Sequence, residues 1–290
     1  MKGAIHHNSP VDFVLETNTK QLCKFMSHLN LEITRKCNQR CFYCFNNSTM
    51  SEKSGIIGLE TWQTILDMMH GSGLNSVHIT GGEPFIWAKT IDLLGYAQGI
   101  GLDTSILSNG FQIENLAQTH AETLSNLKVA QISLDAMTPT VHDARRGTDG
   151  AWQQAVNAIT ALRSLNVPVE VSCVVDDNNL EELTEVGNFT RSVSASLLVR
   201  PLVTAGRATD RNLSSLFEKR LEKNLAELEI NRVNITSDRF SYVPTTEDID
   251  EQNWYKEILT VEPDGSFRGT RGFRYGQKVV SNALELIQAA

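Results

Sequence analysis

Between residues 29 and 207, short apolar, β-branched runs alternate with stretches whose apolar positions recur every three or four residues. That alternation predicts repeated βα units on a parallel sheet, an α/β fold. The candidate strands are 28–34, 76–80, 104–107, 129–134, 169–175 and 196–199. Between them, Leu59, Trp62, Ile65, Leu66 and Met69 fall on one face of a helix, as do Trp152, Val156, Ile159, Leu162 and Leu165. Gly71-Ser72-Gly73, Gly99-Ile100-Gly101 and Asn166-Val167-Pro168 stand where a helix must stop before the next strand. Beyond Arg207 the pattern changes to a charged helical stretch (213–230), a polar segment (231–253) and a hairpin over 258–268 turning at Pro263-Asp264-Gly265. The expected organisation is an extended leader at 1–26 packed on the edge of the sheet, a core at 27–209, and an extension at 210–290.

Composition narrows the function classes. With 290 residues, 41% hydrophobic and 21% charged, the chain buries a core and is not disordered. A net charge of −8 gives no footprint for nucleic acid or anionic lipid. No apolar run reaches the ~18 residues of a membrane span, and the N-terminus lacks an apolar signal core, so a soluble, cytoplasmic protein is expected. Of five cysteines, Cys37, Cys41 and Cys44 crowd together while Cys23 and Cys173 stand apart, which does not suit a disulfide framework. Tight thiol groups in a reducing compartment hold metal or do redox chemistry.

The run Cys37-Asn38-Gln39-Arg40-Cys41-Phe42-Tyr43-Cys44 follows the first candidate strand, placing three thiols in the loop at its carboxyl end, where barrel-like α/β folds carry their active sites. Three thiolates suit three irons of a [4Fe-4S] cluster, leaving the fourth iron open to another ligand. A structural zinc site is the alternative, but zinc motifs usually pair two knuckles, and His28 and His70 are isolated. After the second strand, Gly81-Gly82-Glu83-Pro84 offers backbone free of Cβ atoms, an acidic acceptor for an ammonium group and a fixed exit; a plain tight turn is the other reading.

These two motifs, in order at successive strand ends, resemble the radical S-adenosylmethionine (SAM) superfamily, and the resemblance covers about residues 29–207. It implies a partial (β/α)6 TIM-like barrel with a small C-terminal α+β extension. It also implies that Cys37, Cys41 and Cys44 ligate one [4Fe-4S] cluster and that Gly81, Gly82 and Glu83 receive the SAM amine. Tyr43 occupies a position next to those that contact adenine, and alternatively covers the cluster from water. Ser108, Asn109, Ser133 and Asp135 look like family positions lining the SAM or substrate cavity; Asp135 could contact substrate or cap a helix. The stretch from His142 to Gly147 resembles the His-Asp-x-x-Arg-Gly signature of peptide-maturing and related members. In it Arg146 suits the SAM carboxylate as a bidentate partner and Arg145 is expected in solvent. Gly206-Arg207 resembles the sixth-strand exit of the same branch, or forms a simple turn.

The hairpin over 258–268 resembles the opening of a SPASM or twitch extension, yet no cysteine follows Cys173, so one cluster is expected and Cys173 and Cys23 are expected to be buried hydrophobes. Without an auxiliary cluster, lyase, mutase or epimerase chemistry gains weight over net oxidation. The function implied is reductive cleavage of SAM to a 5′-deoxyadenosyl radical, fed by an external electron donor, followed by hydrogen abstraction from a ribosomally made precursor peptide. Backbone splicing with tyramine excision is one form of this. A winged recognition domain of about 80 residues does not fit in 1–26, so a small separate recognition protein is expected. The alternatives are an epimerase, lyase or dehydratase of a small natural-product intermediate, and a non-enzymatic iron–sulfur sensor.

Overall fold

The computed structural model describes residues 28–53, 57–71, 73–230, 235–237, 260–261, 263–264, 267–268, 273–275 and 278–280. Six parallel strands appear where the pattern placed them: β1 (His28–Glu32), β2 (Ser76–Thr80), β3 (Asp103–Ser108), β4 (Val129–Ser133), β5 (Val169–Val175) and β6 (Ser196–Pro201). They pair in chain order, with Leu31 opposite Ile79, Ile79 opposite Ile106 and Ile132 opposite Val171. This is the partial TIM-like α/β fold. The helices α1 (Leu59–Gly71), α2 (Thr90–Gly99), α3 (Ile113–Thr119), α4 (Ala121–Ser125), α5 (Pro139–Arg146), α6 (Ala151–Ser164) and α7 (Leu183–Ser192) fill the connections.

Alternation along the strands explains the layering. Leu29, Leu31, Val77, Ile79, Ile106, Ala130, Ile132, Val171, Leu197 and Val199 are completely buried and share one core with Trp62, Leu66, Ile159 and Leu162 of the helices. Of the intervening positions on the opposite, concave face, Asn30, His78, Ser105, Gln131, Ser133, Ser172 and Arg200 are polar and Leu107, Val174 and Leu198 apolar. That face is therefore a lined hollow and not a second apolar core.

The sheet continues beyond the six units. β7 (Ile235–Ser237) pairs parallel with β6, and β8 (Thr260–Val261) pairs parallel with β1 before turning antiparallel into β9 (Phe267–Arg268). The hairpin expected over 258–268 is thus present in its described part. A separate two-stranded ribbon joins β10 (Phe273–Tyr275) to β11 (Lys278–Val280). Helix α8 spans Phe217–Ile230, starting later than the expected 213; ahead of it Asp177 accepts from both the amide and the hydroxyl of Ser214. Its Phe217, Leu221, Leu225 and Leu228 join the main core. The leader at 1–26, including Cys23, lies outside the described residues. Among those described, no helix is long and apolar enough to cross a membrane.

Candidate active site at the carboxyl ends of the strands

The loop from Cys37 to Cys44 has no helix or strand of its own, so its neighbours impose its shape. On one side it is tied to the turn after β2. The amide of Gly82 donates to Thr34 O at 2.7 Å and that of Glu83 to Lys36 O at 2.8 Å. This approach requires both glycines: a Cβ on Gly81, whose φ is +146°, would lie 2.2 Å from Thr34 O, and one on Gly82 would lie 2.3 Å from Lys36 O. On the other side, the last carbonyls of α5, which have no partner within their own helix, accept from the loop: Arg40 N to Arg146 O at 2.9 Å and Phe42 N to Arg145 O at 3.3 Å. Gly147, at φ +60°, ends that helix in the left-handed conformation.

Cys37, Cys41 and Cys44 line one cavity of about 350 Å³, together with Tyr43, Gly81, Gly82, Ser108, Asn109, Ser133 and Arg146. Leu107, Ser172, Val174, Arg200, Leu202, Val203 and Arg207 complete much of the wall. Cys37 and Cys41 are buried and Cys44 is half-buried. Two of the sulfurs receive N–H groups: Gln39 N at 3.4 Å and Asn109 Nδ2 at 3.7 Å on Cys37, and Arg146 Nη1 at 3.8 Å on Cys41. Burial pushes the Cys37 thiol up to about 12 and raises Cys41 as well, so as bare thiols both stay protonated and binding a metal would release protons. Three thiols from one loop, with N–H donors aimed at sulfur, fit an iron–sulfur cluster, whose potential such bonds tune. Among the described residues, no three His, Cys, Asp or Glu side chains gather about a point that would hold a single ion.

Asp135 is placed differently from the expectation. It contacts neither the cavity nor a helix N-terminus but is completely buried behind the wall. Its Oδ1 accepts from Arg146 Nη2 at 2.8 Å and Val174 N at 3.0 Å, and its Oδ2 accepts from the Tyr43 hydroxyl. Arg145 Nε approaches Oδ2 at 3.7 Å. Burial alone would raise the Asp135 carboxyl, but Arg146, Arg145 and the remaining partners outweigh it and hold it below its ordinary value. Arg145, expected in solvent, is buried, donating to Asp176 at 3.0 Å and to Val174 O at 3.0 Å. Arg146 reaches the cavity wall, but one arm of its fork is committed to Asp135 and not open to a bidentate ligand.

The remaining signature residues belong to the same bracket. His142 Nδ1 accepts from Asp135 N at 3.0 Å, and burial lowers the imidazole pKa to about 4, keeping it neutral as that bond requires. Asp143 accepts from Gly150 N and Trp152 N, each at 2.7 Å, and so fastens the start of α6.

Glu83 lies behind the cavity wall. Its carboxylate, expected to meet the SAM amine, turns away from the cavity and is completely buried, accepting from Phe85 N at 3.1 Å, Ser108 Oγ at 2.9 Å and Asn109 N at 2.8 Å. It caps the short 3-10 turn Pro84–Ile86 and pins the exit of β3. The ledge facing the cavity is instead the Gly81-Gly82 backbone. Ser108, Asn109 and Ser133 face the cavity as expected, and Tyr43 does so with its hydroxyl on Asp135. Cys173 is completely buried as a strand residue. Sequence reasoning passed over Gln39, Asn38 and Ser172. Asn38 Oδ1 accepts from Asn109 Nδ2 at 2.8 Å; the signal for Asn38 and Gln39 is their place between the first two thiols, and Ser172, mid-strand in β5, carries none.

The family profile of the radical SAM superfamily matches residues 31–190, and the chain belongs to that superfamily. Members use a [4Fe-4S] cluster and SAM. The chain is 27% identical over 168 residues to the antilisterial bacteriocin subtilosin biosynthesis protein AlbA of Bacillus subtilis, covering 58% of this chain and 37% of AlbA. It is 30% identical over 183 residues to the mycofactocin maturase MftC of Mycobacterium tuberculosis, covering 63% of this chain and 46% of that one. It thus spans less than half the length of both. Streptococcus suis SuiB bound to its precursor peptide SuiA shares the fold, with a TM-score of 0.71 and 17% identity over 98% of this chain and 70% of SuiB.

Three outcomes follow from this geometry. Gly82→Ala should destabilise the chain by about 1–3 kcal/mol in urea unfolding, because backbone and not a flexible side chain meets the new Cβ. Asp135→Ala, which strands the buried Arg146 guanidinium while Arg145 keeps Asp176, should cost about 3–5 kcal/mol in the same assay. Burial raises the Glu83 carboxyl to about 7, so the folded chain holds a proton that the unfolded chain has lost above its ordinary value near ~4.3. Stability should therefore be higher at acidic pH and fall as pH rises through about 7, and Glu83→Gln should flatten that slope in urea midpoints across the range.

Proposed function

We propose that this chain is a radical SAM peptide maturase in which Cys37, Cys41 and Cys44 ligate a single [4Fe-4S] cluster. SAM binds beside it against the Gly81-Gly82 ledge. The observation that carries this reading is that the three thiols and the glycine ledge face one cavity at the carboxyl ends of the strands. When bound, cluster and SAM supply one-electron reductive cleavage and a 5′-deoxyadenosyl radical that abstracts hydrogen. The chain's own residues do the positioning. Gln39, Asn109 and Arg146 direct N–H groups at the ligating sulfurs; Gly81 and Gly82 admit the amino-acid end of SAM against bare backbone; Tyr43, Ser108, Asn109 and Ser133 offer polar and aromatic wall; Leu107, Leu202 and Val203 exclude water.

The substrate in this reading is a ribosomally made precursor peptide. Support comes from the bacteriocin-biosynthesis role in the name of AlbA and the maturase role in that of MftC, from the peptide bound to SuiB, and from the signature His142 to Gly147. With no cysteine after Cys173 in these 290 residues, the reading holds one cluster and chemistry without net oxidation of the substrate: lyase, mutase or epimerase in type, backbone splicing with tyramine excision among them. An external donor supplies the electron. A separate small recognition protein presents the peptide, and the outer edge of β9, unpaired among the described residues, is where an added strand fits.

Anaerobic reconstitution should give about four irons per chain, and replacing Cys37, Cys41 and Cys44 together by Ala should abolish them. With SAM and a strong reductant, the loaded chain should release 5′-deoxyadenosine, and a precursor peptide should couple that release to product. About eight irons would overturn the single-cluster reading, and turnover of a small metabolite alone would move the substrate to the small-molecule class.

A further inference from the structure

The segment leaving β6 returns beneath the cysteine loop. Gly206, at φ +59°, packs so closely there that a Cβ would lie 2.3 Å from Phe45 O and 2.4 Å from Cys44 O. The next residue then makes three hydrogen bonds to the loop and its continuation. Arg207 N donates to Cys44 O at 3.1 Å, Nε to Cys41 O at 2.7 Å and Nη1 to Ser48 O at 3.0 Å. These acceptors include the carbonyls of two of the three thiol-bearing residues, drawn from a loop without regular structure. The arginine also lines the cavity, and among the described residues no Asp or Glu side chain stands on that wall. Among the described residues Arg207 pairs with no carboxylate, so its charge is offset only by carbonyl dipoles. The buried arginines differ in this respect, since Arg145 and Arg146 both face Asp135.

We propose that Arg207 is a positioning residue for the cluster. Its fork fixes the backbone of Cys41 and Ser48, and so the directions of the Cys41 and Cys44 sulfurs, while its charge favours the reduced cluster. The inference rests on the functional reading above. In the step concerned, one electron from an external low-potential donor enters the cluster, no bond forms or breaks, and the ligated cluster becomes more negative by one charge. A fixed cation on the cavity wall opposes that accumulation. Lysine could restore the charge but not the planar fork that reaches two carbonyls at once.

The test uses the full reconstituted chain and the variants Arg207→Met and Arg207→Lys, followed by iron release to a chelator and by redox titration of the cluster's electron paramagnetic resonance signal. Arg207→Met should release iron roughly ten- to a hundredfold faster and titrate at a lower potential. Arg207→Lys should recover the wild-type potential while still releasing iron faster, a split that a purely structural role would not produce. Wild-type release and potential in Arg207→Met would overturn the proposal, as would loss of potential in Arg207→Lys equal to that in the Met variant. In the cluster-free chain, amide exchange across 41–48 should quicken in Arg207→Met, and unchanged exchange there would overturn the clamp. A wild-type chain that takes up no cluster would instead overturn the functional reading, leaving the exchange measurement to judge the clamp by itself.

Discussion

A carboxylate with no access to water holds this site together. Asp135 closes β4, reaches the backbone of β5 through Val174, receives both arginines at the end of α5, and holds the Tyr43 hydroxyl from within the cysteine loop. Burying an ion pair is costly unless every lone pair finds a donor, and here the donors come from separate segments of chain. The loop between Cys37 and Cys44 can adopt one shape only when those segments are already in place. Its geometry is thus a property of the assembled barrel, and local sequence preference contributes little to it.

This explains which parts of the molecule were legible beforehand. The six strands and their helices were readable because each rests on a periodic apolar face, visible in one stretch of chain. The thiol spacing and the paired glycines were readable because their chemistry is local. The direction of a polar side chain at a strand end is not local. Glu83 could face a ligand or cap the turn behind it, and the decision lies with the amides of Phe85 and Asn109 and the hydroxyl of Ser108. Arg145 and Arg146 are adjacent in sequence, and their division of labour depends on Asp176 and Cys41, one from the exit of β5 and the other from the loop after β1. Asp135 looked like a ligand contact because a strand-end acid has no marker for a partner that arrives from another loop.

The signature from His142 to Gly147 changes meaning in the same way. As a string it suggests direct contacts to a cofactor. In the structure its members hold other residues: His142 and Arg146 secure Asp135, Asp143 fastens the next helix, and Gly147 ends α5 in the left-handed turn that lets the cysteine loop lie against it. Its role beside the thiol loop is then scaffolding, with Arg146 alone also touching a sulfur.

The layering of the barrel has an evolutionary consequence. Among the described strand residues, those that pack with the helices lie on the outer face of the sheet, while the inner face mixes polar Gln131, Ser133 and Ser172 with apolar Leu107 and Val174 around a hollow. A substitution on the inner face removes little buried hydrocarbon, so it should carry a small folding penalty while altering the shape and polarity of the wall a substrate meets. The scaffold separates the residues on which folding depends from those that define what it accepts. A lineage built on it can drift through substrates by changing its inner lining, with the outer shell and the cysteine loop bracket left as they are.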